Sequence, residues 1–416
     1  MTWEVVRLGE ITSINPRDPK PDTKSDISFV GMAELNASAA ATVDEEVRPF
    51  GEVSKGYTQF RNGDLLLAKI TPCWENGKIG EAKLNHAVGV GSTEFHIVRP
   101  SEKLDKRYTL HFLRAPRVRI NGELRMTGSG GQRRVPTSYV SDLEIPVPPL
   151  EEQRRIAAIL DEADEIRTKR RAQLALLDEL PQSLFHEMFG DPTHAQAQTT
   201  LGEIAELLGG RNLIAQSDAV HETYRVLKIS AVTSGVFNPG EAKPLPADYD
   251  PPASHVVNLG DLLISRANTT ELVGAVAYVS EDPGSVVLPD KIWRFNWKSE
   301  DSAPLFYATL LRSPSMRRRI SELASGSGGS MKNISKAKLQ AMHVPKVEAA
   351  EQQAFAEKVE AIQAERSRIT SALKADDKLF AALQYRAFRG ELSCLPAPDR
   401  ESLFRAGLCE NPLETE

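Results

Sequence analysis

Short apolar runs bounded by glycine and proline recur through the first 145 or so residues. Such runs, rich in β-branched residues, predict strands; they are Val5-Val6, Ile27 to Val30, Leu65 to Leu67 and Phe95 to Val98. Two helices are predicted later in the globular parts, over Tyr108 to Leu113 and over Leu305 to Leu311. The pattern predicts mixed α/β domains.

A different rhythm follows the prolines at 146, 148 and 149, which break the preceding structure because proline lacks a backbone donor. From about Glu151 to Phe189, apolar residues recur at steps of three and four, which predicts one long helix with a heptad seam. These residues are Ile156, Leu160, Ala163, Leu174, Leu177, Leu184 and Met188. After Pro345 the same rhythm returns in Phe355, Val359, Ile362, Ile369, Leu373, Phe380 and Leu383.

The matching length and phase of the two seams favour packing of the helices on each other. The alternative is that each helix packs only on its own domain. Charged residues interrupt both seams, at Arg167 and Arg170 in the first and at Arg366 in the second. Pro181 predicts a kink near the end of the first helix.

The chain is a tandem repeat, because several phrases return in the same order with a slowly drifting offset. Leu8-Gly9-Glu10-Ile11 returns 193 positions later, and Gly63-Asp64-Leu65-Leu66 returns 197 positions later. Gly128-Ser129-Gly130-Gly131 returns after 198 positions, and Glu152-Gln153 returns after 199. Collinear matches of this kind predict a duplicated unit of about 198 residues.

Composition narrows the class of protein. The three cysteines, Cys73, Cys394 and Cys409, are too few and scattered for a disulfide framework or a zinc site. No apolar run reaches the 18 or so residues of a membrane span, and the start MTWEVVRLGE lacks the plan of a signal peptide. We therefore expect a cytoplasmic protein with no membrane partner.

The net charge of −6 hides a strong asymmetry. From Arg99 to Arg134 there are ten Lys or Arg against three Asp or Glu, and the same counts recur from Lys291 to Lys338. Each half thus carries a segment of +7, and the remaining residues sum to −20. A basic segment is typical of a surface that contacts phosphates.

Two kinds of loop in each half are candidates for nucleic-acid contact. Each basic segment contains a glycine-rich loop, in which backbone N–H groups approach a phosphate and flanking cations neutralise it. A second loop follows each Gly-Asp-Leu-Leu strand and carries residues that donate and accept at base edges. In the first half the candidates are Lys69, Thr71, Trp74, Asn76, Lys78, Gly128, Ser129, Gln132, Arg133 and Arg134. In the second half they are Arg266, Asn268, Thr269, Gly326, Ser327, Lys332 and Asn333.

The sequence contains none of the common catalytic or metal-binding motifs. There is no P-loop, H-E-x-x-H, G-x-S-x-G or C-x-x-C motif, so we predict no catalytic residues and no metal site. Asp250-Pro251-Pro252 is similar to the D-P-P-Y loop of adenine methyltransferases, but Ala253 stands where an aromatic would stack on a base. A self-sufficient methyltransferase is therefore a weak alternative.

Three features of the sequence together resemble those of a known protein family. They are the phrase I-P-V-P-P-L-E-E-Q-R-R-I-A after the first globular half, the long helix that follows it, and the ending Ala387-Phe388-Arg389-Gly390-Glu391-Leu392. The chain resembles the specificity subunit of type I DNA restriction-modification systems from Trp3 to Leu392. The second junction, Val344-Pro345-Lys346-Val347-Glu348, lacks the Pro-Pro-Leu of the first, which leaves that boundary less defined.

The resemblance implies a non-catalytic reader of double-stranded DNA. Two α/β target recognition domains in tandem would each read half of a bipartite site, and two long antiparallel helices would form a coiled-coil-like spacer. The implied boundaries are 1–149 for the first domain, 150–190 for the central helix, 191–198 for a linker, 199–345 for the second domain, 346–391 for the C-terminal helix and 392–416 for an acidic tail.

The resemblance also implies the partners. Two methyltransferase subunits and further restriction or translocase subunits would bind this chain, and the methyl donor, ATP and magnesium would sit on those partners, with no cofactor in this chain. The remaining alternative is a non-catalytic adaptor whose basic segments bind RNA or an acidic protein in another defence complex.

Overall fold

The structure of the protein is a computed structural model that describes residues 3–129, 131–212, 220–326 and 331–392. The described residues of Met1–Ala172 and Thr370–Glu416 form one compact unit, and those of Gln173–Ile369 form the other. The predicted tail beyond Leu392, the candidate Ser327, and Cys394 and Cys409 lie outside the described residues.

The first globular part has twelve strands and five short helices before its long helix. The strands are β1 (Glu4–Arg7), β2 (Thr12–Ile14), β3 (Asp26–Val30), β4 (Leu35–Asn36), β5 (Ala41–Thr42), β6 (Glu46–Pro49), β7 (Thr58–Arg61), β8 (Leu65–Ala68), β9 (Ile79–Glu81), β10 (Val88–Gly91), β11 (Phe95–Pro100) and β12 (Glu144–Val147). The helices are α1 (Leu8–Ile11), α2 (Phe50–Val53), α3 (Lys106–Leu113), α4 (Pro116–Leu124), α5 (Thr137–Ser141) and the long α6 (Leu150–Phe189).

The second globular part follows a 3₁₀ turn at Pro192–His194 and contains another at Ala253–His255. Its described strands are β13 (Gln198–Thr200), β14 (Ala205–Gly209), β15 (Val220–Leu227), β16 (Ala242–Pro246), β17 (Leu262–Ser265), β18 (Ala267–Asn268), β19 (Val276–Tyr278), β20 (Val286–Val287), β21 (Ile292–Trp297), β22 (Lys332–Asn333) and β23 (His343–Pro345). Its helices are α7 (Leu201–Ile204), α8 (Ser230–Thr233), α9 (Pro304–Arg312), α10 (Pro314–Glu322), α11 (Lys336–Gln340) and the long α12 (Ala349–Ala387).

Sheet topology repeats between the two parts. The order β2-β11-β8-β9 in the first corresponds to β14-β21-β17-β19 in the second, and β6-β3-β10 corresponds to β16-β15-β20. In each part the first and last strands also pair, β1 with β12 and β13 with β23. The predicted fold class, two mixed α/β domains in tandem with two long helices, is confirmed.

A buried glutamine holds the start of each long helix. Gln153 accepts a hydrogen bond from the Asp105 backbone N–H (2.7 Å) and donates to the Pro148 carbonyl (2.8 Å). Gln352 accepts from the Ala303 N–H (3.4 Å) and donates to the Val347 carbonyl (2.8 Å). The Glu-Gln phrase of the repeat therefore ties each helix to its own globular part by satisfying buried backbone groups.

The end of each long helix lies in the other unit. In the first unit Phe388, at the end of α12, packs against Tyr108 (5.2 Å between ring centroids) and Phe112 (5.4 Å). In the second unit Phe185, near the end of α6, packs against Phe306 (5.5 Å) and Phe355 (5.6 Å). Each hydrophobic core therefore includes residues of both long helices.

Ion pairs between the helices fill the charged interruptions of the two seams. In the first unit Arg167 Nε donates to Asp377 (2.7 Å) and its guanidinium lies 4.2 Å from the Phe380 ring, while Arg170 pairs with Asp376. In the second unit Arg366 Nε donates to Asp178 (2.5 Å). The helices therefore pack on each other, as the matching seams predict, as well as on the globular parts. The alternative that each helix packs only on its own domain is wrong.

Contacts between the two long helices show their relative direction, because later residues of one helix meet earlier residues of the other. In the second unit Lys358 of α12 contacts Met188 of α6, and Arg366 contacts the earlier Asp178. In the first unit Arg155 of α6 donates to the Leu392 carbonyl (2.7 Å), and the later Arg167 contacts the earlier Asp377. The helix segments within each unit are therefore antiparallel. Pro181 lies inside α6, which continues to Phe189.

We predict that Phe185→Ala lowers the free energy of unfolding by about 3–5 kcal/mol, because it leaves a cavity among aromatic rings. The matched control is Tyr385→Ala on the other long helix, whose side chain is 61% exposed and should change stability by less than about 0.5 kcal/mol. Urea unfolding of both variants measures this, and equal effects would contradict the packing role of Phe185.

Candidate DNA interface

The Gly-Asp-Leu-Leu motif builds the same turn in both units. Gly63 and Gly260 have φ of +90° and +87°, a conformation that glycine adopts without steric cost. The aspartate that follows accepts from a backbone N–H across the turn, Asp64 from Arg61 (2.7 Å) and Asp261 from Asn258 (2.8 Å). Strands β8 and β17 therefore start alike, and the loops that follow them occupy equivalent places.

In the first unit the two candidate loops form one surface. The Thr71 N–H donates to the Arg133 carbonyl (3.0 Å), and the Val135 N–H donates to the Lys69 carbonyl (2.8 Å). Thr127 and Arg134 exchange two backbone hydrogen bonds (3.0 and 2.8 Å), which close the glycine-rich loop. The loop after β8 and the glycine-rich loop are neighbours, although the sequence treats them as separate candidates.

The second unit repeats this arrangement. The Ile334 N–H donates to the Arg266 carbonyl (2.8 Å), and strands β18 and β22 pair Asn268 with Lys332. Ser325 and Asn333 exchange two backbone hydrogen bonds (2.9 and 3.0 Å). The two candidate surfaces therefore share a backbone frame.

The side chains on that frame differ. In the first unit Arg134 donates to Glu94 (2.8 Å), and this hydrogen bond lowers the pKa of the Glu94 carboxyl. The second unit has Lys291 at the position equivalent to Glu94. The Lys69 backbone N–H donates to the Glu94 carbonyl, and the Arg266 backbone N–H donates to the Lys291 carbonyl in the same way. Opposite charges at one position of a shared frame give the two surfaces different electrostatics.

The predicted contact residues that the structure describes differ in their exposure to solvent, and all but Trp74 are exposed or half-buried. Eight are exposed: Asn76, Gly128, Ser129, Gln132, Arg133, Thr269, Gly326 and Asn333. Seven are half-buried: Lys69, Thr71, Lys78, Arg134, Arg266, Asn268 and Lys332. Several of the half-buried cations are engaged, since Lys78 donates to the Met32 carbonyl (2.7 Å), Lys332 to the Gly326 carbonyl (2.9 Å) and Arg266 to the Asp290 carbonyl (2.8 Å).

Trp74 belongs to the hydrophobic core, so the prediction that it contacts DNA is wrong. Its side chain is fully buried, its indole N–H donates to the Arg119 carbonyl (2.8 Å), and its ring meets that of Tyr139 edge-on. A Cβ at Gly122 would lie 2.3 Å from the ring, so glycine in α4 makes room for the indole. Buried in this way, Trp74 has no face on which a base could stack.

A pair of arginines that the sequence prediction missed holds the loops after β8 and β17. Arg119 Nη1 donates to the Glu75 carbonyl (2.9 Å), and Arg317 Nη2 donates to the Val273 carbonyl (2.9 Å). The two arginines lie 198 positions apart. This offset is that of the internal repeat, and it is the signal that could have found them.

Much of the first basic segment is neutralised within the protein. Arg99 pairs with Asp18 and Asp64 (both 2.7 Å), and Lys106 pairs with Glu81 (2.5 Å). Further ion pairs join Arg107 to Asp161, Arg114 to Asp164 and Arg134 to Glu94. The count of +7 along the sequence therefore overstates the positive charge that the first unit presents.

The second basic segment is less neutralised. Arg294 pairs with Asp261 (3.3 Å). Among the described residues, no carboxylate pairs with Lys291, Arg318, Arg319, Lys332 or Lys336. Within the described ranges no group of His, Cys, Asp and Glu could hold a metal ion, and no helix is long and apolar enough to cross a membrane.

The family model described as type I restriction modification DNA specificity domain matches residues 1–176 and 197–376. The chain is 28% identical to the type I restriction enzyme EcoEI specificity subunit of Escherichia coli, over 81% of this chain and 73% of the relative. It is 36% identical to the EcoAI specificity subunit of Escherichia coli, over 48% of this chain and 34% of the relative.

A solved structure is similar in fold. The S subunit of a type I restriction-modification system from M. genitalium matches with a TM-score of 0.54 at 13% identity, over 93% of this chain and 96% of that one. At this identity the likeness concerns the fold alone.

Beneath the first surface lies a histidine that makes stability depend on pH. His96 is buried, donates through Nε2 to the Val135 carbonyl (2.8 Å), and accepts at Nδ1 from the Asn15 amide (3.4 Å). Burial lowers the pKa of His96 below its ordinary value of 6.5, with Lys69 adding to the effect.

We predict that stability falls as the pH drops below 6.5, because the unfolded chain then binds a proton at His96 that the folded chain excludes. The contribution of this residue is at most about 1.4 kcal/mol per pH unit. His96→Gln keeps a donor for the Val135 carbonyl and should reduce this slope in urea unfolding from pH 7 to pH 5. An unchanged slope would show that His96 is not buried in its neutral form.

Proposed function

The chain belongs to the type I restriction modification DNA specificity domain family, and we propose that each globular domain reads one half of a bipartite, asymmetric DNA site. It is a specificity subunit and not a catalytic one. Its two target recognition domains, residues 1–149 and 199–345 in this proposal, would deliver one DNA sequence to partner subunits.

The two globular domains share the backbone hydrogen bonds of the candidate DNA surface but carry different side chains on it, which supports recognition of two different half-sites. The Lys69 and Arg266 carbonyls accept equivalent hydrogen bonds from Val135 and Ile334, so the loops that follow start from the same place. The exposed groups that they carry differ, with Gln132 and Arg133 in the first domain and Asn333 in the second. One geometry with two sets of donors and acceptors suits a site whose halves have different sequences.

The exposed groups fit two kinds of DNA contact. Arginine and the N–H groups of the loops at Gly128 and Gly326 suit phosphates, which fix register without carrying sequence information. Amide side chains suit adenine edges, where Asn or Gln makes two hydrogen bonds. We assign Arg133 and Lys332 to phosphates, and Gln132, Asn268 and Asn333 to base edges.

The long helices complete the proposal. We assign residues 150–190 and 346–391 to an antiparallel spacer that also docks two methyltransferase subunits, with 191–198 as linker and 392–416 as a tail. The methyl donor would then lie on the methyltransferase subunits, and ATP and magnesium on restriction subunits. We place the complex in the cytoplasm, associated with the nucleoid through DNA.

Loss of the gene should remove adenine methylation at one bipartite motif, because the methyltransferase subunits depend on this chain for their site. Methylation-sensitive sequencing of the genome with and without the gene measures this. Complementation by the wild-type gene is the control, and an unchanged pattern of methylation would contradict the proposal.

Substitution in the second domain should change only one half of the motif. Asn333→Ala removes an exposed amide without disturbing the backbone pairing with Ser325, so we expect relaxed recognition at one base pair, worth about 1–3 kcal/mol. Gln132→Ala is the matched variant and should affect the other half. A change in both halves by either variant would argue against one domain per half-site, and binding of RNA in preference to duplex DNA would favour an adaptor.

A further inference from the structure

A cavity of about 330 Å³ in the first unit has an unusual concentration of arginine. It opens between the loop after β8, the segment Ala37-Ser38, helix α4 and the first half of α6. Four arginines line it: Arg114, Arg119, Arg167 and Arg171. Three or more guanidinium groups around one small cavity repel one another unless an anion joins them.

The carboxylates nearby neutralise only part of this charge. Asp164 accepts from Arg114 (2.9 Å) and Arg167 (2.6 Å). Asp377 accepts from Arg167 (2.7 Å) and Arg171 (3.0 Å). Four guanidinium groups thus share two carboxylates, which leaves two positive charges in excess.

The arginines also have donors to spare. Arg119 donates to the Glu75 carbonyl (2.9 Å) and Arg171 to Asp377 (3.0 Å), whereas a guanidinium has five N–H groups. Both side chains are half-buried, where a charge interacts more strongly than it does in bulk water. The hydroxyl of Ser38 and the amide of Asn76 add neutral polar groups to the same cavity.

We propose that this cavity is a phosphate-binding site. Arginine binds phosphate oxygens through paired N–H donors, and a cavity of this size at the lower end of the usual range for ligand sites accepts one such group. Apart from Ala37, Gly77 and Ile79 the lining residues are polar or charged, which favours an anion with several oxygens over an apolar ligand.

When duplex DNA is bound, the phosphate belongs to the DNA backbone; this step rests on the proposed function. Asn76 and Gly77, at the rim of the cavity, belong to the same loop as Thr71, which hydrogen-bonds to Arg133 on the candidate DNA surface. One loop therefore connects the candidate DNA surface to the rim of the cavity. Such a contact fixes the register of the duplex and is independent of sequence.

The second unit has a cavity at the equivalent place with a different charge. It measures about 450 Å³ and includes Arg312 and Arg366, which lie 198 and 199 positions after Arg114 and Arg167. Its lining also includes three carboxylic acids: Asp178, Glu281 and Glu360. Two arginines against three carboxylates disfavour an anion, so the chain has this phosphate site in its first unit, and Arg312 offers a matched control.

The experiment compares Arg171→Gln with Arg312→Gln in the full chain with its methyltransferase subunits. Binding of a duplex of arbitrary sequence is measured by fluorescence anisotropy over a range of salt concentrations. For Arg171→Gln we expect roughly tenfold weaker binding and a slope of log K against log salt that is smaller by about 0.9. Arg312→Gln and the charge-conserving Arg171→Lys should retain the wild-type slope.

A second arm titrates the same proteins without DNA with inorganic phosphate and follows binding by calorimetry. Phosphate binding that Arg171→Gln abolishes, together with an unchanged salt slope, would support the phosphate site but assign it to free phosphate. No effect of Arg171→Gln in either arm would overturn the site. The proposed function is tested separately by the wild-type complex. If that complex binds duplexes with its own motif more tightly than other duplexes, the proposed function holds even though the phosphate site is wrong. If it shows no such preference, the proposed function is contradicted.

Discussion

Exchange of helix ends is the constraint on which the rest of the structure depends. The helix that follows the first globular part ends with Phe185 and Phe189 in the core of the second unit, and the helix that follows the second part ends with Phe388 in the core of the first. Burying a phenylalanine contributes about 1.5–3 kcal/mol of transfer free energy. Neither core is complete without the helix from the other half of the chain, so the tandem repeat folds as a reciprocal structure.

Interhelix ion pairs supply the register of this exchange. Arg167 pairs with Asp377 in the first unit, and Arg366 pairs with Asp178 in the second. The two arginines lie 199 positions apart in the sequence, and so do the two aspartates. Partly buried ion pairs add little net stability, because desolvation offsets the attraction, but polar groups in a helical seam define which residues face each other. We therefore interpret the charged interruptions as register devices, and the apolar residues around them as the source of stability.

The repeat and the long helices could be predicted from the sequence because both are expressed in spacing. Periodicity of three and four places the helix Leu150–Phe189, and the offset of the repeat pairs the Gly-Asp-Leu-Leu turns. Trp74 could not be placed in this way, since its burial depends on the space at Gly122, some fifty residues later. The charge that the first basic segment presents could not be predicted either, because Asp161, Asp164 and Glu94 neutralise arginines that are distant in sequence.

The division of labour between backbone and side chains explains how one scaffold can hold two different readers. Residues shared by both halves, such as Asp64 and Asp261 or Arg119 and Arg317, bond to backbone atoms and fix the loops. Asn76, Gln132 and Asn333 are exposed on these loops, and exposed side chains can usually differ at little cost to the stability of the frame. A change of half-site therefore requires new side chains on a fixed frame.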